Sequence, residues 1–565
     1  MNHPSGNREE RRTFFHKLSL AVFSGVMLGF AFPPSPYGIL ACFGLVPLLI
    51  VLDETEQARR ALGYVYVAML VFHMITLNWT GGYAHMNDPY MAIAGAVTMT
   101  VHPLFYFIPL GAFLFVRRRL GRTAALVGLP FFWVAYEYSH TLSEWSFPWL
   151  TLGNTQSYDL AHIQIVSSTG VIGLSLWILV LNVLAYFLVE SFRTEGVRLL
   201  RPRNVGLMAA LVVLYFLPTL YGSQVLRAAP PMEQPVPTSE LGQKKVVTVG
   251  MIQANVDPWE KWKQTGMEII EQYFRMTDSL VKHSTPKPDL VLWPETAMPY
   301  YVLIPRNHVS LEYVRRRIDE LGVPVLFGLP HAVYYDDTTK APPSAKRVEA
   351  TGERYDAFNA TAFIQPGVEE IPWYGKMKMV PIAERVPYAD MFYFLDFLRW
   401  GVGIGGWQIG RDTLLFQEKK TGAKFCSLIC YESVYPEFVA EFVKRGAEFI
   451  AIVTIDSWWD RMSGAYQHHQ YAIFRAVENR RWVARCAVGG FSSYIDPYGR
   501  VYDKTELFTQ ATLSRTILRI DRGMANTYYT RHGDWVGRWS ALVSVGLIVT
   551  AMVVSWRRKE TTYRR

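Results

Sequence analysis

From Leu18 to Leu52 the chain carries no Asp, Glu, Lys or Arg. One helix over that stretch would be about 50 Å long at 1.5 Å per residue, too long for a hydrocarbon core of roughly 30 Å. Pro33, Pro34 and Pro36 interrupt it, so the run reads as two short spans joined by a tight turn. Further uncharged runs occupy 61–86, 90–116, 123–136, 163–189 and 204–226, and a last one, 539–556, lies near the C-terminus. The expectation is seven spans, a polar middle from about 244 to 534, and an eighth span. A cleaved signal peptide would mimic the first run, but no small-residue cleavage site stands out and more spans follow.

The basic residues sort themselves by loop. Arg8, Arg11, Arg12 and Lys17 precede the first span, and Arg59 and Arg60 lie between the second and third. Arg117, Arg118, Arg119 and Arg122 separate the fourth from the fifth, and Arg193, Arg198, Arg201 and Arg203 the sixth from the seventh. Arg557, Arg558, Lys559, Arg564 and Arg565 end the chain. The alternate connections, 33–38, 83–89 and 140–162, contain no Lys or Arg. By the positive-inside rule both termini are cytoplasmic and the polar middle lies outside. The balance of 57 Lys+Arg against 48 Asp+Glu would alone suggest nucleic acid. Topology accounts for it, so no nucleic-acid partner is expected. Charged residues are 19% of the chain, below the roughly 25% of soluble proteins, and 4 Cys are too few for a disulfide scaffold.

The polar middle alternates strands and helices. Strand-like runs lie at 246–249, 289–293, 323–328, 425–430, 449–455 and 482–487; helical spacing appears at 259–283, 311–322, 436–446 and 465–481. That order argues for a mixed sheet covered by helices, and about 290 residues suffice for an independent core. Residues 227–243, rich in Pro and polar side chains, read as a linker.

Three features could carry chemistry. Asp289-Leu-Val-Leu-Trp-Pro-Glu295 sets a carboxylate just past the C-terminal end of a buried strand, and Phe425-Cys-Ser-Leu-Ile-Cys430-Tyr431-Glu432 does the same with a thiol. That edge of an α/β sheet is where reacting groups gather. Tyr374-Gly-Lys376-Met-Lys378-Met-Val-Pro381-Ile-Ala-Glu384 lies between them. A cysteine nucleophile needs a base or a positive field, and an acyl-transfer intermediate needs a donor for its oxyanion. Taken singly, each has a blander reading: a small buried hydrophobe for Cys430, solvated charges for Glu295 and Lys376.

Together, Trp293-Pro-Glu295, Lys376 and Cys430-Tyr431-Glu432, in this order, resemble the nitrilase superfamily, whose catalytic triad is Glu, Lys and Cys. Eight spans with the domain inserted before the last resemble its membrane-embedded branch, the apolipoprotein N-acyltransferases. Phe147-Pro-Trp149 with Gly153-Asn-Thr-Gln156, Gln253-Ala-Asn255 with Trp262, Trp458-Trp459 through Gln467-His468, and Thr527-x-Tyr-x-Arg531-x-Gly-Asp534 look like further segments of that family. Departures are Ile382-Ala383 where the family commonly has Phe-Gly, Val488-Gly489 where polar residues are usual, and Asp456 after Ile455 rather than Asn. The triad is intact.

The resemblance implies a polytopic α-helical membrane domain of eight spans with an extracytoplasmic nitrilase-like αββα sandwich. The implied division is 1–226 membrane domain, 227–243 linker, 244–535 catalytic domain, and 536–565 last span and tail, in a bacterial cytoplasmic (inner) membrane. It implies ping-pong transfer of a fatty acyl chain from a phospholipid to the N-terminal amine of a diacylglyceryl-modified apolipoprotein. Glu295 is then the general base, Lys376 the oxyanion stabiliser and Cys430 the nucleophile, with Glu384, Tyr431, Glu432 and Trp262 in support. No phosphate-cradling glycine loop and no zinc-spaced Cys/His set appears, so neither cofactor nor metal is expected. The rival within enzymes is a membrane-anchored amidase or nitrilase hydrolysing a small C–N substrate. A transporter or receptor would leave the triad unexplained.

Several residues have quieter readings. Trp79, Tyr83, Trp145 and Trp149 at outer span ends fit an interfacial aromatic belt, and Trp458 and Trp459 either dip into the bilayer or guard the cleft. Adjacent His468 and His469 point about 100° apart on a helix and cannot share a metal. His73 and His102 read as hydrogen bonds between helices, and Glu137 as a carboxylate reaching the interface. Cys426 and Cys430 on one strand are too far apart for a disulfide; Cys486 is left open.

Overall fold

The computed structural model of the protein describes residues 5–82, 89–230, 246–261, 266–392, 406–520 and 526–563. Helices come first: α1 (Ser5–Ala31), α2 (Val46–Asp53), α3 (Ala58–Thr76), α4 (Pro89–Val101), α5 (Phe107–Leu120), α6 (Arg122–Ser139), α7 (Leu160–Ile163), α8 (Val166–Glu195) and α9 (Pro202–Ala228). The prolines at 33, 34 and 36 end α1 as expected. After them α2 is only eight residues long, with Val46–Leu52 all buried, so it lies within the bundle. Its entry is tied down by Asn182, which accepts from Leu45 N (2.8 Å) and donates to Ala41 O (2.8 Å).

Among the described residues, five helical stretches are long and apolar enough to cross a membrane: Glu9–Ala31, Met91–Leu120, Val166–Glu195, Pro202–Ala228 and Trp535–Arg558. Met91–Leu120 joins α4 to α5 through a 3-10 turn at His102–Tyr106. The other expected runs appear as the short apolar stretch Gly38–Asp53 and as α3 and α6, of 19 and 18 residues. In α8 the helix proper starts after Gly170, whose φ of +67° breaks it; a Cβ there would lie 2.4 Å from the Tyr529 ring.

The α/β region runs β1 (Val246–Gln253), α10 (Gly266–His283), β2 (Leu290–Leu292), α11 (His308–Leu321), β3 (Val325–Tyr334), β4 (Lys346–Arg347), β5 (Arg354–Ile364), β6 (Trp373–Gly375), β7 (Phe416–Gln417), β8 (Lys424–Ile429), α12 (Pro436–Arg445), β9 (Phe449–Thr454), α13 (Ser463–Asn479), β10 (Trp482–Ala487), β11 (Ser493–Ile495), β12 (Val501–Tyr502) and β13 (Ala511–Leu518). A short α14 (Tyr528–His532) leads into α15 (Trp535–Tyr563). Two sheets form, ordered β13-β1-β2-β3-β5-β4, with β6 beside β5, and β12-β11-β10-β9-β8-β7. Each has a parallel centre, β1-β2-β3 in one and β8-β9-β10 in the other.

Strand alternation explains the layers. Val247, Val249, Met251, Leu290, Leu292 and Leu326 face the second sheet and share a core with Phe425, Ile429, Val453 and Cys486. Val291, Val325 and Phe327 point the other way, onto Ile270 and Phe274 of α10 and Val314 and Ile318 of α11. Burial on both faces gives continuous apolar strands, and the arrangement is the expected nitrilase-like sandwich. The inner core is continuous with the helical region, joining Trp149 and Leu174 to Tyr471 and Val477 of α13.

Two expectations need correction. Glu137 does not reach an interface: it is buried and accepts from Trp133 Nε1 (3.1 Å) and Leu152 N (2.9 Å). Trp79 and Trp149 are buried too and pack inward, while Trp145 is exposed; Tyr83 lies outside the described residues. The four cysteines are free thiols.

Candidate active site

The C-terminal ends of β2, β6 and β8, with the middle of β5, converge on one cleft of about 270 Å³. Glu295 follows β2 by three residues; β3 passes so close behind it that a Cβ on Gly328 would lie 2.6 Å from Glu295 Cα, so glycine is required there. Lys376 follows β6 and is pinned by Lys376 N to Asn359 O (2.8 Å) and Gly410 N to Lys376 O (2.8 Å). Cys430 follows β8 at the first residue of a 3-10 turn with a φ of +52°. A residue with a Cβ in the left-handed region costs about 1–2 kcal/mol, and such strain gathers where a side chain must be aimed.

The structure brings the three expected residues together. Cys430 and Glu295 line the same cleft, the thiol close enough to the carboxylate for each to shift the other's titration. Lys376 Nζ, without exposed surface, lies 2.7 Å from Glu384 Oε1 and 3.8 Å from Glu295 Oε1. Burial pushes the Glu295 pKa up and the Lys376 ammonium opposes it. For Lys376, burial works against the charge but Glu384 and Glu295 outweigh it and hold its pKa above the usual value. Burial and the Glu295 carboxylate push the Cys430 thiol up, with Lys376 opposing. The resting site is a protonated thiol beside a carboxylate and a locked cation.

The supporting residues divide by task. Glu384 Oε2 accepts from Val380 N (2.8 Å) and shapes the lysine loop, in which Ile382 takes a φ of +68°. Glu432, fully buried, accepts from Ile429 N (2.8 Å), Met377 N (2.6 Å), Lys378 N (3.3 Å) and Tyr374 OH (2.7 Å). It ties the lysine loop to the nucleophile turn; burial lifts its pKa to about 7 against those hydrogen bonds. Tyr431 stacks on Trp149 and Phe147, ring centroids 6.2 Å apart in both cases. Trp262 lies outside the described residues.

Sequence reasoning missed two residues. Asn359 on β5 donates to Glu295 Oε1 (2.7 Å) and reaches Glu384 Oε1 (3.4 Å); a lone amide in the run Ala-Phe-Asn-Ala-Thr-Ala was the available signal. Lys261 lines the cleft and donates to the Thr296 carbonyl and to Thr296 Oγ1 (2.8 Å). Burial pushes its pKa down to about 7, against the pull of Glu295.

The opposite wall comes from the helices. Ala94, Gly95, Thr98 and Val101 of α4, with Phe105, line the cleft facing Pro381 and Ile382. Trp79 and Trp149 give their indole N–H to one acceptor, Gln467 Oε1 (3.0 and 2.6 Å), while Gln467 Nε2 donates to Pro33 O (2.9 Å) and Thr76 O (3.1 Å). Trp459 packs on Trp79, centroids 4.6 Å apart. Trp458 and Trp459 thus both edge the cleft.

Residues 24–184 match the family model described as apolipoprotein N-acyltransferase N-terminal domain, and residues 248–525 match carbon-nitrogen hydrolase. The chain is similar to the apolipoprotein N-acyltransferase of Chlorobaculum tepidum, 33% identical over 96% of this chain and 97% of that protein. It is also similar to the enzyme of that name from Geobacter metallireducens, 28% identical over 96% and 95%. Among solved structures, Saccharomyces cerevisiae Nit3, a nitrilase-superfamily member, superposes with a TM-score of 0.36 at 14% identity, covering 48% of this chain and 90% of that one.

Proposed function

The chain belongs to the apolipoprotein N-acyltransferase family, and from that premise we propose that it moves a fatty acyl chain from a membrane phospholipid, through a thioester on Cys430, to the N-terminal amine of S-diacylglyceryl-cysteine on apolipoproteins. The observation that carries the reading is a thiol and a buried carboxylate sharing one cleft beside a cation held by two carboxylates, with apolar helix as the cleft's other wall.

In the first half-reaction Glu295 takes the Cys430 proton as Sγ attacks the ester carbonyl of the phospholipid. Lys376 faces the oxyanion that forms. Collapse breaks the ester C–O bond, Glu295 returns its proton to the departing alkoxide, and a lysophospholipid leaves an S-acyl enzyme. In the second half the free α-amine attacks the thioester carbonyl and its surplus proton passes to Glu295. The C–S bond breaks, and protonation of the thiolate restores the resting site. Thioester to amide is downhill, which gives the sequence its direction.

Small residues of α4, Ala94, Gly95 and Thr98, line the cleft and would leave room for an acyl chain entering sideways. Both substrates sit in the lipid leaflet, so neither crosses water, and a dry thioester favours aminolysis over hydrolysis. The arrangement that fits is eight spans with both termini cytoplasmic in a bacterial inner membrane. Residues 1–226 would form the membrane part, 227–243 the linker, 244–535 the outer catalytic domain, and 536–565 the last span and tail.

The test uses full-length protein in phosphatidylethanolamine vesicles with a diacylglyceryl-cysteine peptide. Wild type should yield N-acylated peptide and one lysophospholipid per transfer. Cys430→Ala and Cys430→Ser should yield neither while still inserting, a loss of at least about 10⁴-fold. Near-normal N-acylation by Cys430→Ala would refute the reading.

A further inference from the structure

Behind the nucleophile lies a second buried polar cluster that the reaction above does not use. His468 on α13, Asp456 just past β9 and Arg485 on β10 have no exposed side-chain surface. His468 Nδ1 lies 2.9 Å from Asp456 Oδ1, and Asp456 Oδ2 accepts from Arg485 at 2.6 Å. Thr454 Oγ1 donates to Asp456 Oδ1 at 3.0 Å. The far edge of the ring meets the nucleophile turn: His468 Nε2 is 3.1 Å from the Cys430 carbonyl oxygen and 2.9 Å from Ser433 Oγ, which itself donates to Cys430 O at 2.9 Å.

Two facts give this cluster a purpose. Cys430 sits in the left-handed region at a φ of +52°, a conformation that persists only where the surroundings over-determine it; its carbonyl accepts from Ser433 Oγ at 2.9 Å, and the His468 ring packs against it with Nε2 3.1 Å away. Asp456 also follows Ile455, whose N–H donates to Glu295 Oε2 at 3.1 Å. One end of the cluster therefore holds the thiol's backbone and the other adjoins the donor that aims the base. Gly490 closes the space behind, where a Cβ would lie 2.5 Å from Asp456 Oδ2. The rings of Trp149 and Trp459, centroids 5.6 and 5.8 Å from that of His468, flank the imidazole. Asp456 stays ionised: burial works against its charge, but Arg485 and His468 pull its pKa well below the usual range. It is thus a fixed acceptor for Nδ1–H.

We propose that His468, held by Asp456 and Arg485, is a positioning residue that sets the separation and angle between the Cys430 thiol and the Glu295 carboxylate. This rests on the roles given to Cys430 and Glu295 above and adds the group that aligns them. Small misalignments of reacting groups cost on the order of 10²-fold in rate, so the cluster acts on the chemical step and leaves lipid binding alone.

The ring's two ends can be separated by substitution. His468→Asn keeps an N–H for Asp456 but no longer reaches Cys430; His468→Gln reaches Cys430 and Ser433, its amide able to donate or accept. Full-length protein in phosphatidylethanolamine vesicles is quenched at short times and the S-acyl form of Cys430 is followed by mass spectrometry. His468→Asn should slow thioester formation by on the order of 10²-fold with half-saturating lipid unchanged, and His468→Gln by no more than about threefold. Equal rates for the two variants, whether both normal or both slowed in step with a lowered melting temperature, would overturn the proposal. Should His468→Asn fail to insert, Ser433→Ala carries the test: slowing of about threefold supports it and an unchanged rate overturns it. Failure of the underlying reading looks different, because wild type itself would then form no thioester on Cys430.

Discussion

Where the α/β sandwich lines the cleft it presents charge, and where the helices line it they present rings and small apolar side chains. On the sandwich side Glu295, Lys376, Glu384 and Asn359 lie within one hydrogen-bonded set; Glu295 and Lys376 stand just past strand ends, Asn359 lies within β5, and Glu384 lies in the loop after β6. On the helical side α4 offers Ala94, Gly95 and Val101, and polar atoms such as the two indole N–H groups are turned away, onto Gln467. Under the proposed function the contrast divides labour: bond making and breaking would belong to the sheet edge, and residence of a lipid chain to a wall that asks only for apolar contact. Substitutions on the first wall should act on the chemical step, and those on the second on lipid affinity and stability.

The largest effect short of removing the nucleophile should come from Glu295→Gln. It keeps a side chain able to meet Asn359 but removes the proton acceptor, and general-base loss typically costs 10²–10⁴-fold. Single-turnover acylation of Cys430 should slow by about 10³-fold; a normal acylation rate with slow transfer to the amine would instead assign Glu295 to the second half-reaction alone. Lys376→Met should cost about 10²–10³-fold in the same step. It also has a pH signature. Glu295 works as a base only when ionised, and burial already holds its pKa above the ordinary range, about 4.3 for a free Glu. The acid limb of acylation should therefore lie above that value in wild type. Lys376 favours the ionised form, so its removal should move the limb to still higher pH; a limb that stays or falls contradicts the arrangement. The smallest effect on chemistry should come from the helical wall. Gln467→Ala strands two indole N–H groups and two carbonyls, at about 1–3 kcal/mol for each group left without a partner. It should lower the melting temperature and raise half-saturating phospholipid about tenfold, with the maximal acylation rate within about threefold. A collapse of the maximal rate would show that the walls do not divide the work as described.

The same contrast decides what could be read from the residues alone. Glu295 and Cys430 were legible because each follows a short apolar strand, and a strand's C-terminal end is a local property. Asn359 was not, since β5 is defined by its pairing with β3 from Val325↔Ile364 to Tyr334↔Tyr355, which no local window contains. β13 was missed for the same reason: it returns from the far end of the region to pair with β1. On the helical side the apolar runs announced themselves, but not what each faces. Trp79 and Trp149 look like belt residues by position and prove to be inward-packed partners of Gln467, hundreds of residues away. Glu137 likewise finds its partner in Leu152 N, beyond the end of its own helix. Periodicity reports that a ring or carboxylate stands at a helix end; only tertiary packing says whether lipid, water or another helix meets it.

The central claim is that the Cys430 sulfur carries the acyl chain between two lipids. It is tested most directly by mass spectrometry of the protein taken from its native membrane, digested without thiol reagents, on the peptide that holds Cys430. A fatty-acyl mass on that residue, released by neutral hydroxylamine and lost on incubation with a diacylglyceryl-cysteine peptide, is the predicted result. Active protein whose Cys430 never bears an acyl group, during turnover or when the acceptor is withheld, would contradict it.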